Sequence, residues 1–107
     1  MEDFVPVGHV ADLSPGQMTW VSVQGERVLL ANVEGVFYAL EDVCGHQRQA
    51  LSRGKLEDYA VECPLHFARF DVRTGELISG PLSDHVLVYE VRLEGETVYV
   101  KREPNEA

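Results

Sequence analysis

Residues 18–41 read MTWVSVQGERVLLANVEGVFYALE, three short runs rich in β-branched and apolar side chains, cut by Gln24-Gly25 and Glu34-Gly35. A polar residue and a Gly between two such runs signal a hairpin, because the two-residue turns that join antiparallel strands need positive φ. The stretch predicts three consecutive strands, Met18–Val23, Arg27–Val33 and Val36–Glu41. The same grammar runs outward from it. Further strands are expected at Phe4–Val7, Tyr59–Glu62, Arg69–Asp71, Leu77–Ser79, Val86–Leu93 and Thr97–Arg102, with Gly punctuation again at Thr74-Gly75 and Glu94-Gly95. No long window keeps a 3.6-residue period free of Gly and Pro, so a long helix is excluded, and Ala11–Gln17 is read as a single helical turn. The fold class is all-β and antiparallel.

The chain has 107 residues, 45% of them hydrophobic and 25% charged, which is room for one domain, taken as residues 1–107. Nine Lys and Arg against 18 Asp and Glu give a formal charge of -9. That sign excludes a protein that works on phosphate backbones or anionic lipid, so neither nucleic acid nor a membrane is expected as partner. No apolar run is long enough to span a bilayer, and the first ten residues carry Glu2 and Asp3 where a secretion signal would carry Lys or Arg. A soluble, cytoplasmic protein is expected. The charge is unevenly spread: residues 44–75 hold five basic and four acidic side chains, and the remainder holds four and fourteen. The acidic surplus therefore lies outside the segment that carries both cysteines.

Those cysteines stand in Cys44-Gly45-His46 and Cys63-Pro64-Leu65-His66, a C-x-H and a C-x-x-H separated by 16 residues. Each pair follows a predicted strand, so two loops at neighbouring strand ends can face one another across a metal. A structural zinc site ordinarily takes like ligands in each pair, with two to four residues between cysteines. Mixed pairs suit a binuclear centre in which thiolates go to one iron and imidazoles to the other, as in Rieske [2Fe-2S] centres.

Cys44-x-His46, Leu51-Ser52-x-Gly54, Cys63-Pro64-x-His66, Phe70-Asp71, Thr74-Gly75 and Gly80-Pro81 together resemble the Rieske-type [2Fe-2S] ferredoxins of bacterial aromatic-ring-hydroxylating dioxygenase systems. The resemblance runs from about Phe4 to Arg102. It implies an antiparallel β base with a smaller β cluster-binding subdomain at about residues 42–82, and one [2Fe-2S] cluster. By the same resemblance Cys44 and Cys63 bind one iron, His46 and His66 bind the other through Nδ1, and a loop with Gly80-Pro81 covers the cluster.

With two thiolates and two neutral imidazoles, an oxidised cluster has no net charge, whereas four thiolates would leave it at about -2; adding an electron costs less work. Rieske potentials accordingly fall between about -150 and +300 mV rather than near -400 mV. High-potential relatives add a disulfide beside the cluster and Ser and Tyr hydroxyls that donate to sulfur. Here the corresponding positions hold Gln49, Leu65, Ala68 and Phe70, so the low end of the range is expected. Gln47 and Phe67 stand after the ligand histidines where Gly is common in the family.

The resemblance implies a one-electron carrier between a flavin-containing reductase and a terminal ring-hydroxylating oxygenase, and not an enzyme. An oxygenase would need a mononuclear iron on two His and a carboxylate, and only His9 and His85 remain after the cluster ligands are assigned. Two other readings stay open at this stage, the small Rieske-like subunit of a nitrite reductase and a structural zinc-binding interaction module. Arg48 and Arg69 flank the motifs, either as docking charges or as solvated side chains covering apolar surface. Arg73-Thr74-Gly75-Glu76 is read as a turn.

Overall fold

The computed structural model describes residues 3–43, 50–64, 68–80 and 85–105. The expected hairpin series forms its centre: β2 (Met18–Val23), β3 (Glu26–Val33) and β4 (Val36–Glu41). Val23 pairs with Glu26 and Val33 with Val36, leaving two-residue turns in which Gln24 and Gly25, and Glu34 and Gly35, all have positive φ. This is the turn geometry whose twist matches that of the flanking strands.

Around this hairpin series lie β1 (Phe4–His9), β5 (Lys55–Glu57), β6 (Ala60–Glu62), β7 (Arg69–Asp71), β8 (Leu77–Ser79), β9 (Val88–Tyr89), β10 (Val91–Glu94) and β11 (Thr97–Lys101). Three antiparallel sheets result, ordered β1-β11-β10, β2-β3-β4-β9 and β5-β6-β7-β8. The first two form the base. The third, built from 3-residue strands, is the smaller subdomain.

β3 explains how the parts adhere. Successive side chains on a strand point to opposite faces, and every residue from Val28 to Val33 is buried. Val28 and Leu30 join Val23, Phe37, Ala39, Tyr89, Val98 and Val100 in the core between the two base sheets. Leu29, Ala31 and Val33 join Leu40, Leu51, Val61, Cys63, Phe70, Val72 and Val86 in a second core, shared with the smaller sheet. One strand thus walls both cores. Asn32 is the polar exception in the run; its amide donates to Leu13 O at 2.8 Å and accepts from Gly35 N at 2.8 Å, tying the turn to the base.

The structure refines the sequence reading in four places. The run Val86–Leu93 is split, with Val88–Tyr89 pairing with β4 and Val91–Glu94 pairing with β11, so the chain changes sheet at Glu90. Alternation alone cannot show a change of partner. The short strand β5 carries Lys55 and Glu57 outward and was not expected. Helical geometry is confined to 3-10 turns at Val10–Asp12 and Leu51–Arg53 among the described residues. The final hairpin turns through Gly95-Glu96, because Glu94 itself pairs with Thr97. No helix among the described residues is long and apolar enough to cross a membrane.

Candidate metal centre

Of the four expected ligands, Cys63 lies within the described residues, and Cys44, His46 and His66 lie outside them, as do Arg48, Gln47, Gln49, Leu65, Phe67 and Pro81. Cys63 follows β6 directly. Its N–H donates to Ala68 O at 2.7 Å, closing the connection between β6 and β7 that carries Pro64 to Phe67. Its side chain is fully buried, in the core shared by β3, β4 and the smaller sheet. The second expected pair is therefore carried on a hairpin loop whose base is fixed by sheet hydrogen bonds on both sides.

The first pair is carried on the longer connection between β4 and β5. Asp42, the residue after β4, is buried, and its Oδ1 accepts from Ser52 N at 2.7 Å and its Oδ2 from Ser52 Oγ at 2.8 Å. Arg27 of β3 reaches the same Oδ2 through Nη2 at 3.1 Å and Nε at 3.2 Å. The 3-10 turn that holds Ser52 ends at Gly54, whose N–H donates to Leu51 O at 2.9 Å. Gly54 lies against the Glu62 carbonyl, so closely that no side chain fits between them. The Leu51-Ser52-x-Gly54 motif thus touches the residue two before Cys44 on one side and the residue just before Cys63 on the other. Asp42 and Glu62, which precede the two Cys–His pairs in the sequence, are thus both held by a single turn.

This arrangement fits a cluster on the evidence of the cysteine itself. Cys63 follows β6 directly and lies in an apolar core, where a lone thiolate would be costly and bound iron would supply the compensating charge. Ala68 and Phe70, at the positions where high-potential relatives have hydroxyls, are buried in the same core and offer no side-chain donor.

The neighbouring charges are engaged among themselves. Arg69 Nη2 lies 3.1 Å from Glu57 Oε1, and its Nε lies 4.0 Å from Glu62 Oε1, so this side chain spans the face of the small sheet and is partly spent in ion pairs. Arg73 holds Asp71 in a two-pronged pair, Nε to Oδ1 at 3.0 Å and Nη2 to Oδ2 at 2.8 Å, and stacks 4.0 Å over the Tyr59 ring. These hydrogen bonds pull the Asp71 carboxyl below its usual range against the opposing effect of burial. The segment Arg73-Thr74-Gly75-Glu76 is the expected turn, with Gly75 N donating to Asp71 O at 2.7 Å. Gly75 in turn abuts the Val86 carbonyl, leaving no room for a Cβ.

The remaining histidines, His9 and His85, belong to no cluster of metal-ligating side chains among the described residues. His9 accepts from Ala11 N at 3.1 Å through Nδ1, capping the first 3-10 turn, and its Nε2 is 3.2 Å from Glu96. His85 lines an open depression with Thr74, Glu76 and Leu77. Among the described residues no other group of His, Cys, Asp and Glu is arranged to hold a metal. Asp42 and Arg27 are the residues that sequence reasoning missed. The available signal was an acidic residue two before Cys44 and a Ser in the Leu-Ser-x-Gly motif, which is legible only once the two are known to meet.

An antiparallel β base, with a small sheet of three-residue strands from one of which Cys63 directly follows, is the frame that carries the expected ligand segments. The chain belongs to the Rieske [2Fe-2S] domain family, whose model matches residues 3–101, and the family's cofactor is one [2Fe-2S] cluster. It is 45% identical over 92 residues to the ferredoxin component of biphenyl 2,3-dioxygenase from Rhodococcus jostii (strain RHA1), covering 86% of each chain. In structure it is similar to the ferredoxin of carbazole 1,9a-dioxygenase from Nocardioides aromaticivorans IC177, with TM-score 0.90, 32% identity, and coverage of 94% of this chain and 98% of that one. It also matches a chain in a complex of reduced oxygenase and oxidised ferredoxin in carbazole 1,9a-dioxygenase, with TM-score 0.92, 32% identity and full coverage of both chains. The family match removes the structural-zinc reading.

Proposed function

We propose that this protein is the ferredoxin component of an aromatic-ring-hydroxylating dioxygenase system, carrying one electron at a time from a flavin-containing reductase to a terminal oxygenase. Its similarity along almost the whole chain to dioxygenase ferredoxins, at a length those relatives share, carries the reading. The protein is a carrier and not a catalyst. Cys44 and Cys63 supply thiolates to one iron, and His46 and His66 supply imidazoles to the other. When bound, the cluster supplies a one-electron redox centre. The chain's own part is to present four ligands from two loops of fixed spacing and to keep Cys63 away from water.

The whole chain, 1–107, acts as one domain, with about 42–82 as its cluster-binding part; the β5–β8 sheet at 55–79 supports that division. The site of action is the cytoplasm, where thiolate ligands are kept reduced. Visible spectra before and after dithionite, with iron and acid-labile sulfide assayed on the same sample, test the assignment. Two irons and two sulfides per chain, with bleaching on reduction, are expected. Loss of that spectrum in both His46→Ala and His66→Ala completes the ligand set, and its retention in both would refute it. Reduction by a flavin-containing dioxygenase reductase, followed by reoxidation on a Rieske oxygenase, tests the role.

A further inference from the structure

We propose that Asp42 is a positioning residue for the cluster, acting as a clasp that fixes the two ends of the segment carrying Cys44 and His46; this rests on the Rieske assignment. A carboxylate is rarely fully buried unless its oxygens are satisfied, and Asp42 is 1% exposed. Four donor contacts meet it, two from Ser52 and two from Arg27. Asp42 N–H also donates to Arg27 O at 3.3 Å, so backbone and side chain are both held by β3. Behind Asp42 the Arg27 guanidinium stacks 3.9 Å over the Trp20 ring. The chain of contacts Trp20, Arg27, Asp42, Ser52 therefore runs from the edge strand β2 to the last part of the first ligand loop.

A buried ion pair is a poor filler where stability alone is at stake, since apolar side chains of similar volume often serve as well or better. Its directed bonds do something apolar packing does not: they set which residue of the loop's return meets the end of β4. Closing the loop at Asp42 and Ser52 removes conformational freedom from the chain between them. Through Gly54 the same turn also sets the position of Glu62 and hence of Cys63. Asp42 thereby controls the spacing of the two ligand pairs without itself being a ligand.

The test uses loaded protein with Asp42→Ala, Asp42→Asn, Ser52→Ala and, as a control, Val98→Ala, which opens a cavity in the core of the base sheets, separate from the core that holds Cys63. Three readouts are taken: the thermal midpoint, the rate at which visible absorbance is lost to a chelator, and the electron paramagnetic resonance g values of the dithionite-reduced cluster. Asp42→Ala is expected to release the cluster about tenfold faster, the lower end of what losing a group that orients metal ligands costs, and to shift the g values. Asp42→Asn keeps an acceptor for Ser52 N–H and should recover part of the loss. Val98→Ala should lower the thermal midpoint and leave the g values at those of the parent. Ser52→Ala removes one bond only and carries the test where Asp42→Ala yields no soluble protein. Parent-like g values in the Asp42 and Ser52 variants, with cluster loss no faster than in Val98→Ala, would overturn the proposal and leave the Rieske assignment standing. A parent protein that binds no iron and sulfide after reconstitution overturns both.

Discussion

Gly54 meets the carbonyl of Glu62 where any Cβ would collide with it. The contact joins the turn after the first ligand loop to the strand that leads into Cys63, and backbone on the far side cannot yield as a flexible side chain would. Gly54→Ala is therefore expected to force the two segments apart, at about 3 kcal/mol, the upper part of the usual range for overpacking. Urea unfolding followed by Trp20 fluorescence measures the loss. A change below about 1 kcal/mol would mean that the turn slides freely over β6.

Asn32 is a buried amide whose two bonds serve the Leu13 carbonyl and the Gly35 N–H. Asn32→Leu fills the space but leaves both backbone groups without their partner, and an orphaned buried group costs about 1–3 kcal/mol. A fall in unfolding free energy of that order is expected, with the visible spectrum unchanged, since Asn32 belongs to the β3–β4 turn. Equal stability of variant and parent would show that water replaces the amide.

Asp71 has its carboxyl held below the ordinary value of 3.8, chiefly by hydrogen bonds from Arg73. A folded-state pKa below the unfolded one gives stability that is present in full above the unfolded pKa and is lost as the pH falls through the folded one. Arg73→Ala returns Asp71 toward its ordinary range. The variant should be less stable than the parent at neutral pH, and the gap should close as the pH falls below about 4. The pair is partly exposed, so the difference is small and shrinks with salt. A gap independent of pH between neutrality and the acid side would assign the effect of Arg73 to its stacking on Tyr59.

Ala68 and Phe70 occupy buried positions that offer no hydroxyl toward the ligand hairpin. With fewer hydrogen bonds to stabilise the reduced state, the midpoint potential is expected at the low end of the Rieske range, near about -150 mV. Ala68→Ser should raise it, because donors near cluster sulfur favour the reduced form. Redox titration checks both, and a parent potential well above zero would contradict the reasoning.

Much of this was legible from residue order. The hairpin series at 18–41 declared itself through Gln24-Gly25 and Glu34-Gly35, since few residues tolerate positive φ in succession. The Cys–His spacing carried the family, and the match over residues 3–101 bears it out. What escaped was set by tertiary partners. The break at Glu90 is a change of sheet inside one β-rich run: residues 86–89 are apolar throughout and 90–93 alternate, but neither pattern says which strand each half pairs with. β5 is only three residues long, Lys55–Glu57, and gains its identity from pairing with β6. Asp42 resembled any acidic residue at a strand end until Ser52 and Arg27 were found around it, because burial of a charge is decided by what folds over it.

β3 places alternate side chains in two separate cores, and its amides are covered by β2 on one side and β4 on the other. Neither core can be opened without exposing one face of that strand. The smaller sheet and the base therefore melt together, and amide hydrogens of Leu29, Leu30 and Ala31 should be among the last to exchange with deuterium. A fragment cut to the ligand loops alone would lack the wall on which both depend.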